Sequence, residues 1–430
     1  MTFARMLGAI ALAAGLSSSP AAAQQLTVWH DLGDNGIAWF QRMGAEFARV
    51  RPGVTIRSLS FPTEQWFGRA IGAINTDTAP DLIFNNYERV IRVQSQTSRL
   101  VDMRAVLEAS PDRSFLGADE LRVATYRGRM LIIPVHRVQM ALAVRRSWLE
   151  RVGERFPETW EDMRRIAGRF RENPPPGATA ANTFAFASQA ARPRDLIHML
   201  DLFVFGSGLT NTLIDPDGQI VIDRPAHAEV LQEFLRAHTS YGFVAPDTIN
   251  HSFTEMYQVI EGGRAGMFRL GDWNVRRWDM PNQLGGDFVA GPWPRFAAGR
   301  ENAVVAGGMR GVAIPENSPN RELAAEFARF MLTRAAQQAS LEIMGAFVRN
   351  DLDASSLSPN QQWFARAQYR LVPYDFPESV HPWYPELEAA FHRRLLAGLA
   401  SPPTNGDWGP FIATLAQEMR AEAQRLARAN

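Results

Sequence analysis

The sequence predicts an α/β fold built from parallel βαβ units, and three observations carry that prediction. Residues 26–56 read as strand, polar loop, amphipathic helix, turn and strand. A second apolar helix face then leads into a third strand, residues 79–84, entered through Pro80. At 430 residues, the chain also has the length for two domains rather than one.

Residues 1–23 are expected to stand outside the fold. Arg5 supplies a positive start, residues 6–16 an apolar core too short to span a bilayer, and Ala21-Ala22-Ala23 a small-residue cleavage site. This is the pattern of a secretory signal peptide, with the mature chain beginning at Gln24. No cysteine occurs, so there is no lipid-attachment cysteine, no disulfide and no thiol chemistry. The expected location is periplasmic, without a lipid anchor.

Composition narrows the function classes. With 46% hydrophobic and 21% charged residues the chain is an ordinary soluble globular protein. Its formal net charge of zero argues against a nucleic-acid or membrane-surface partner. All 45 basic residues are arginine, which excludes lysine Schiff-base and P-loop chemistry.

In the first unit, Leu26, Val28 and Trp29 form a β-prone run, and residues 30–36 form a polar, glycine-bearing loop. That loop lies at the carboxyl end of a strand, where open α/β sheets place their ligand crevice. The helix is marked by Trp39, Phe40, Met43, Phe47 and Val50 and stopped by Arg51-Pro52-Gly53, before Val54 and Ile56. Leu26-Thr27-Val28-Trp29, Phe47, Pro52 and Val54-Thr55-Ile56 together resemble the opening of the family 1 extracellular solute-binding proteins of carbohydrate-uptake ABC transporters.

Later segments match that family in order. Residues 61–66 precede a helix face of Phe67, Ala70, Ile71 and Ile74, and the third strand ends in Asn85-Asn86-Tyr87, resembling the family's Pro-Asp-plus-strand motif. Leu100-Val101-Asp102 is similar to its next loop. Residues 126–134 read as a hairpin turn running into a strand and resemble its Gly-x-x-Tyr-Gly-x-Pro segment, with Leu131 replacing the tyrosine. Past His136 and Gln139, Val144-Arg145 stands where the family has Tyr-Asn.

Residues 157–163 match the family's Pro-x-Thr-Trp helix start. Thr159 is the expected N-cap with Asp162 three residues on, and the carboxylates here are read as helix caps rather than acids or bases. The Asp215-Pro216-Asp217-Gly218 stretch is read as a tight turn, because the later ligands of a calcium loop are missing. Residues 261–268 and Gly271-Asp272-Trp273 resemble the family's Gly-Lys-Ala-Ala-Met strand and Gly-x-Trp turn, whose tryptophan stacks on a sugar in many relatives; a core role for Trp273 stays open. Residues 307–315 match the double-glycine ligand loop as flexible backbone before a strand, and 322–331 with 335–338 match the following helical pattern. Residues 345–349 loosely match a Gly-x-x-Pro-x-Arg segment, with Val348 for the proline and Arg349 directly after it, and the chain closes in a helical appendage ending with residues 411–429.

The resemblance implies a two-lobed, type II periplasmic-binding-protein-like fold, with a multi-segment hinge and the ligand cleft between the lobes. Lobe 1 is expected to comprise residues 24–136 and 291–347, and lobe 2 residues 137–290 and 348–430. The expected function is capture of a sugar or oligosaccharide and delivery to a membrane-embedded ABC permease, by a monomer without cofactor, metal or nucleic acid. The expected ligand residues are His30, Asp31, Asn35, Trp66, Asn85, Asn86, His136, Asp272, Trp273, Gly307, Gly308, Arg310 and Arg349. Trp66 and Trp273 would offer ring faces, and the polar groups would meet hydroxyls or an anionic group. Two alternatives stay open: a glycerol-phosphate or acidic-sugar binder of the same fold, and a secreted carbohydrate-active hydrolase with two carboxylates across a cleft. The chain has no Gly-x-Ser-x-Gly elbow or His-Glu-x-x-His zinc site, and its eight histidines show no ligand clustering.

Overall fold

The computed structural model describes residues 24–176, 179, 182–296, 305–366 and 381–429. The expected signal segment, residues 1–23, lies outside the described residues. Among the described residues the ten strands are β1 (Gln24–His30), β2 (Val54–Ser60), β3 (Leu82–Asn86), β4 (Thr125–Tyr126), β5 (Arg129–Met130), β6 (Ile133–Val144), β7 (Phe184–Phe186), β8 (Ala265–Gly271), β9 (Val289–Gly291) and β10 (Val305–Ala313).

The first βαβ unit forms as its periodicity predicts. β1 and β2 pair in parallel, with Leu26 opposite Ile56, and β1 pairs in parallel with β3. The connecting helix, Gly33–Val50, buries Trp39, Phe40, Met43 and Phe47, the inward face of a 3.6-residue repeat. It starts earlier than the sequence suggests: the polar connection is reduced to Asp31 and Leu32, and Asn35 lies in the first helical turn.

β6 explains how one sheet serves two lobes. Its amino-terminal part pairs antiparallel with β10, which also pairs with β3. Its carboxyl-terminal part, from Met140 to Val144, pairs with β8, and Leu142 to Val144 also pair with β9. The main strand order is therefore β2-β1-β3-β10-β6-β8-β7, with β9 beside β6. β1, β2 and β3 and their helices make one lobe, β7, β8 and β9 and their helices the other, and β6 runs between them. Nearly all of β6 is buried, as a strand covered on both faces must be.

Several local readings are met by geometry. Thr159 accepts from the Asp162 amide while the Asp162 carboxylate accepts from the Thr159 amide, a complete capping box. The β4–β5 hairpin turns through Arg127 and Gly128, both left-handed, as a two-residue turn between twisted strands requires. The tight turn at Asp215 closes with Gly218 N–H donating to the Asp215 carbonyl at 2.9 Å. At the C-terminus, helices Tyr384–Ala400 and Gly409–Ala429 pack on each other and on Pro193–Gly206 and Pro225–His238.

Candidate functional site

Two adjoining cavities, about 480 and 590 Å³, open between the lobes and share Asp31, Trp273 and Arg310. Both volumes fall in the range of small-molecule sites. The first lobe contributes the residues just past the carboxyl ends of β1 and β3, where an open α/β sheet exposes loops and helix N-termini.

Asp31, the residue after β1, receives the Arg89 guanidinium and the Thr63 hydroxyl, the latter at 3.1 Å. Arg89 also donates to Asn85 Oδ1 at 3.2 Å. The last residue of β3, Asn86, donates through Nδ2 to Glu88 at 2.9 Å and accepts from Arg310 Nε. Arg310, on β10, places its guanidinium carbon 6.0 Å from the Trp273 ring centre. It thus touches a residue of each lobe.

Trp273 is the second residue of the helix Asp272–Asp279 that follows β8. A Cβ on Gly271 would lie 2.4 Å from Trp273 Cη2, so the ring folds back over the strand end only because that residue is glycine. The indole Nε1 donates to the Tyr257 hydroxyl at 3.4 Å, and the half-buried ring faces both cavities. Behind it, Asp272 is buried and accepts from the amides of Gln139 at 3.1 Å and Trp273 at 2.8 Å. Burial pushes the Asp272 carboxyl up to about 8, against the opposing pull of Arg310 and the two amides. Its place is to fix the tryptophan's backbone.

Of the expected residues, Asp31, Asn35, Asn86, Trp273 and Arg310 line the cleft. Asn85 stands behind them as an acceptor for Arg89. Gly307 and Gly308 lie within β10 where its register with β6 shifts, Gly308 having φ 111°; they form a bulge inside a strand rather than a loop before one.

Five expectations are corrected. Asp272 lies buried behind Trp273, outside the linings of both cavities, and serves the backbone there rather than a ligand. His30 is the last residue of β1 and continues the inward alternation of Leu26 and Val28; it is buried, its Nδ1 accepts from Leu32 N–H at 3.1 Å, and its ring stacks on Phe40. Trp66 shares an inward helical stripe with Ala70 and Ile74 and is fully buried. His136 sits between Trp39 and Phe84 at ring-centre distances of 4.5 and 5.3 Å. Burial, aided by the charge of Arg310, lowers it to about 3, so it is a neutral core imidazole. Arg349 is buried against Phe115 and paired with Asp112 at 2.6 Å and Asp351 at 2.7 Å, away from both cavities.

The cleft also takes in residues that no motif marked, among them Arg89, Arg192, His198, Phe253, Tyr257 and Arg269. His198 is held neutral, first by burial and then by the charges of Arg194, Arg269 and Arg89. Arg269 lies two residues before the Gly271-Asp272-Trp273 turn, which was the one nearby signal.

A model of the bacterial extracellular solute-binding protein family matches residues 33–338, well over half the chain. No curated protein matches. Among solved structures, an ABC transporter solute-binding protein of Thermotoga lettingae TMO bound with α-D-tagatose superposes with a TM-score of 0.72 at 17% identity, covering 92% of this chain and 100% of that one. Maltose-bound MalE3 of T. maritima gives 0.69 at 18%, covering 93% and 99%. A chitin oligosaccharide binding protein gives 0.71 at 13%, covering 93% and 99%. Likeness at such low identity establishes a shared two-lobed α/β architecture.

Proposed function

The chain belongs to the bacterial extracellular solute-binding protein family, and from that premise we propose that it captures a carbohydrate between its lobes and delivers it to an ABC transporter permease. The observation that carries the reading is the sharing of Asp31, Trp273 and Arg310 by both cavities of the interlobe cleft. A sugar ring has apolar C–H faces and a rim of hydroxyls. The half-buried indole suits the first, and the carboxylate, amide and guanidinium groups around it suit the second. The structural relatives are described with tagatose, maltose and chitin oligosaccharide, which points the same way.

Capture works as a population shift. A ligand touching Asn86 on one side and Trp273 on the other gains contacts in the closed arrangement that the open one lacks, so binding favours closure. The proposed lobes are residues 24–136 with 291–347, and 137–290 with 348–430. The handover of β6 from β10 to β8 around Met140 supports the first crossing.

The rest of the reading extends the family's extracellular character and the pattern of residues 1–23. The protein would act outside the cytoplasmic membrane, after cleavage before Gln24, as a monomer that binds sugar without transforming it and needs no cofactor, metal or nucleic acid. Among the described residues no helix is long and apolar enough to cross a membrane. N-terminal sequencing of secreted protein tests the cleavage, and an intact Met1 in a membrane pellet would refute it.

A thermal-shift series over neutral and acidic mono- and oligosaccharides tests the binding. A sugar at about 100 times its Kd should add roughly 2.7 kcal/mol to stability. Stability unmoved by every sugar would refute capture, and recovery of cleaved sugar would move the protein to the hydrolases.

A further inference from the structure

Arg269, on β8, is 2% exposed and lines the cavity that carries Asn86 and Trp273. Its guanidinium carbon lies 4.4 Å from the Phe253 ring centre and 5.8 Å from that of Trp273. Nη1 approaches the Met140 sulfur at 4.0 Å. Among the described residues, Nε and Nη2 have no hydrogen-bond partner of ordinary geometry, and the Tyr257 hydroxyl is the polar group beside them that favours the charge. Those two nitrogens form the side edge of the guanidinium fork, whose parallel N–H bonds match the two oxygens of a carboxylate. Leaving a buried charged edge unpaired is costly, so the folded protein is stabilised by whatever supplies an anion there.

The nearby acids are already engaged. Asp195, whose charge Arg269 senses, pairs with Arg192 at 3.0 Å. Arg89 pairs with Asp31, and Arg194 with Glu388 at 3.3 Å. A single carboxylate supplies the two oxygens that this edge matches, whereas a phosphate dianion would bring a second negative charge among acids that are already paired.

We propose that the ligand is an acidic sugar bearing one carboxylate, a hexuronate or a neutral oligosaccharide carrying a single uronate unit, with the carboxylate gripped by Nε and Nη2 of Arg269 and the ring beside Trp273. The proposal rests on the solute-binding reading and names its ligand class. The neutral part of the sugar meets the groups that any sugar would meet; the carboxylate alone distinguishes it.

The test is isothermal titration of the mature protein with galacturonate and glucuronate, their neutral counterparts galactose and glucose, maltose as a neutral oligosaccharide, the methyl ester of galacturonate, and glucose 6-phosphate. At least one acidic sugar should bind about tenfold tighter or more than its neutral counterpart, as a charge-assisted bidentate contact predicts. The methyl ester should lose that advantage, and so should Arg269→Gln. The ester needs no altered protein, so the result stands even where the variant fails to fold. Neutral sugars binding as tightly as the acids, or a preference that survives in the ester or in folded Arg269→Gln, overturns the proposal while leaving sugar capture intact. Tighter binding of glucose 6-phosphate than of every uronate also overturns it. No binding of any of these compounds overturns both.

Discussion

Replacing Trp273 with alanine separates a binding ring from a packing ring. The side chain is half-buried, its one hydrogen bond is long at 3.4 Å, and its ring borders both cavities. Taking the value of an aromatic pair as the scale, stacking is worth roughly 0.5–1.5 kcal/mol beyond area. Covering some 40 Å² of ring at about 25 cal/mol per Å² adds about 1 kcal/mol. The expected loss of affinity is therefore about 1.5–2.5 kcal/mol, or roughly 10- to 70-fold in Kd.

The matched control is Trp66→Ala, where the ring is fully buried. That change should cost about 3–5 kcal/mol of stability through the cavity it leaves, while the folded fraction binds normally. Urea denaturation of the ligand-free proteins and calorimetric titration of the same samples read both quantities. A large stability loss with unchanged affinity in Trp273→Ala would refute its placement in the site. Weakened affinity in folded Trp66→Ala would refute the separation between core and cleft.

Three further outcomes follow. Burial lowers His136 to about 3 and both His30 and His238 to about 4; the unfolded chain binds protons that the folded one refuses, so stability should fall as pH drops from about 6.5 towards 4. His136→Phe should flatten that slope in pH-dependent urea melts, and an unchanged slope would rule out the neutral-imidazole account. Asp272 behaves oppositely: between its ordinary 3.8 and about 8 the folded protein holds a proton that the unfolded chain has released, so stability should decline with rising pH. Asp272→Asn should gain on the native protein from pH 5 to pH 8, and parallel curves would show the carboxyl to be unshifted. Arg349→Ala, which removes the pairs to Asp112 and Asp351, should lose about 1–3 kcal/mol of stability with sugar affinity intact, and a selective loss of affinity would return Arg349 to the site.

Local physics made much of the fold legible. The period of Trp39, Met43 and Phe47 places a helix between two parallel strands, the Thr159–Asp162 pair caps another, and the ordered motifs from Leu26 to Arg349 match a two-lobed binder. Two corrected residues were legible by the same rules. His30 continues the alternation of Leu26 and Val28, and Trp66 sits four and eight residues before Ala70 and Ile74. In both, the period of the element outweighs the chemistry of the side chain. The close fit of Gly271 beneath Trp273 shows why that turn carries glycine, but the orientation of the ring appears only in three dimensions.

The sequence alone determined the secondary-structure units, their order and the family resemblance, because periodicity and capping depend on neighbours a few residues apart. Only the tertiary structure decided which polar groups meet. Asn86 and Arg310 are 224 positions apart and bonded, Arg349 is spent on Asp112 across 237 positions, and Arg269 keeps an edge that is unpartnered among the described residues. Pairing of charges is a property of distances between elements, and forty-five arginines with no lysine look alike until the fold assigns their partners.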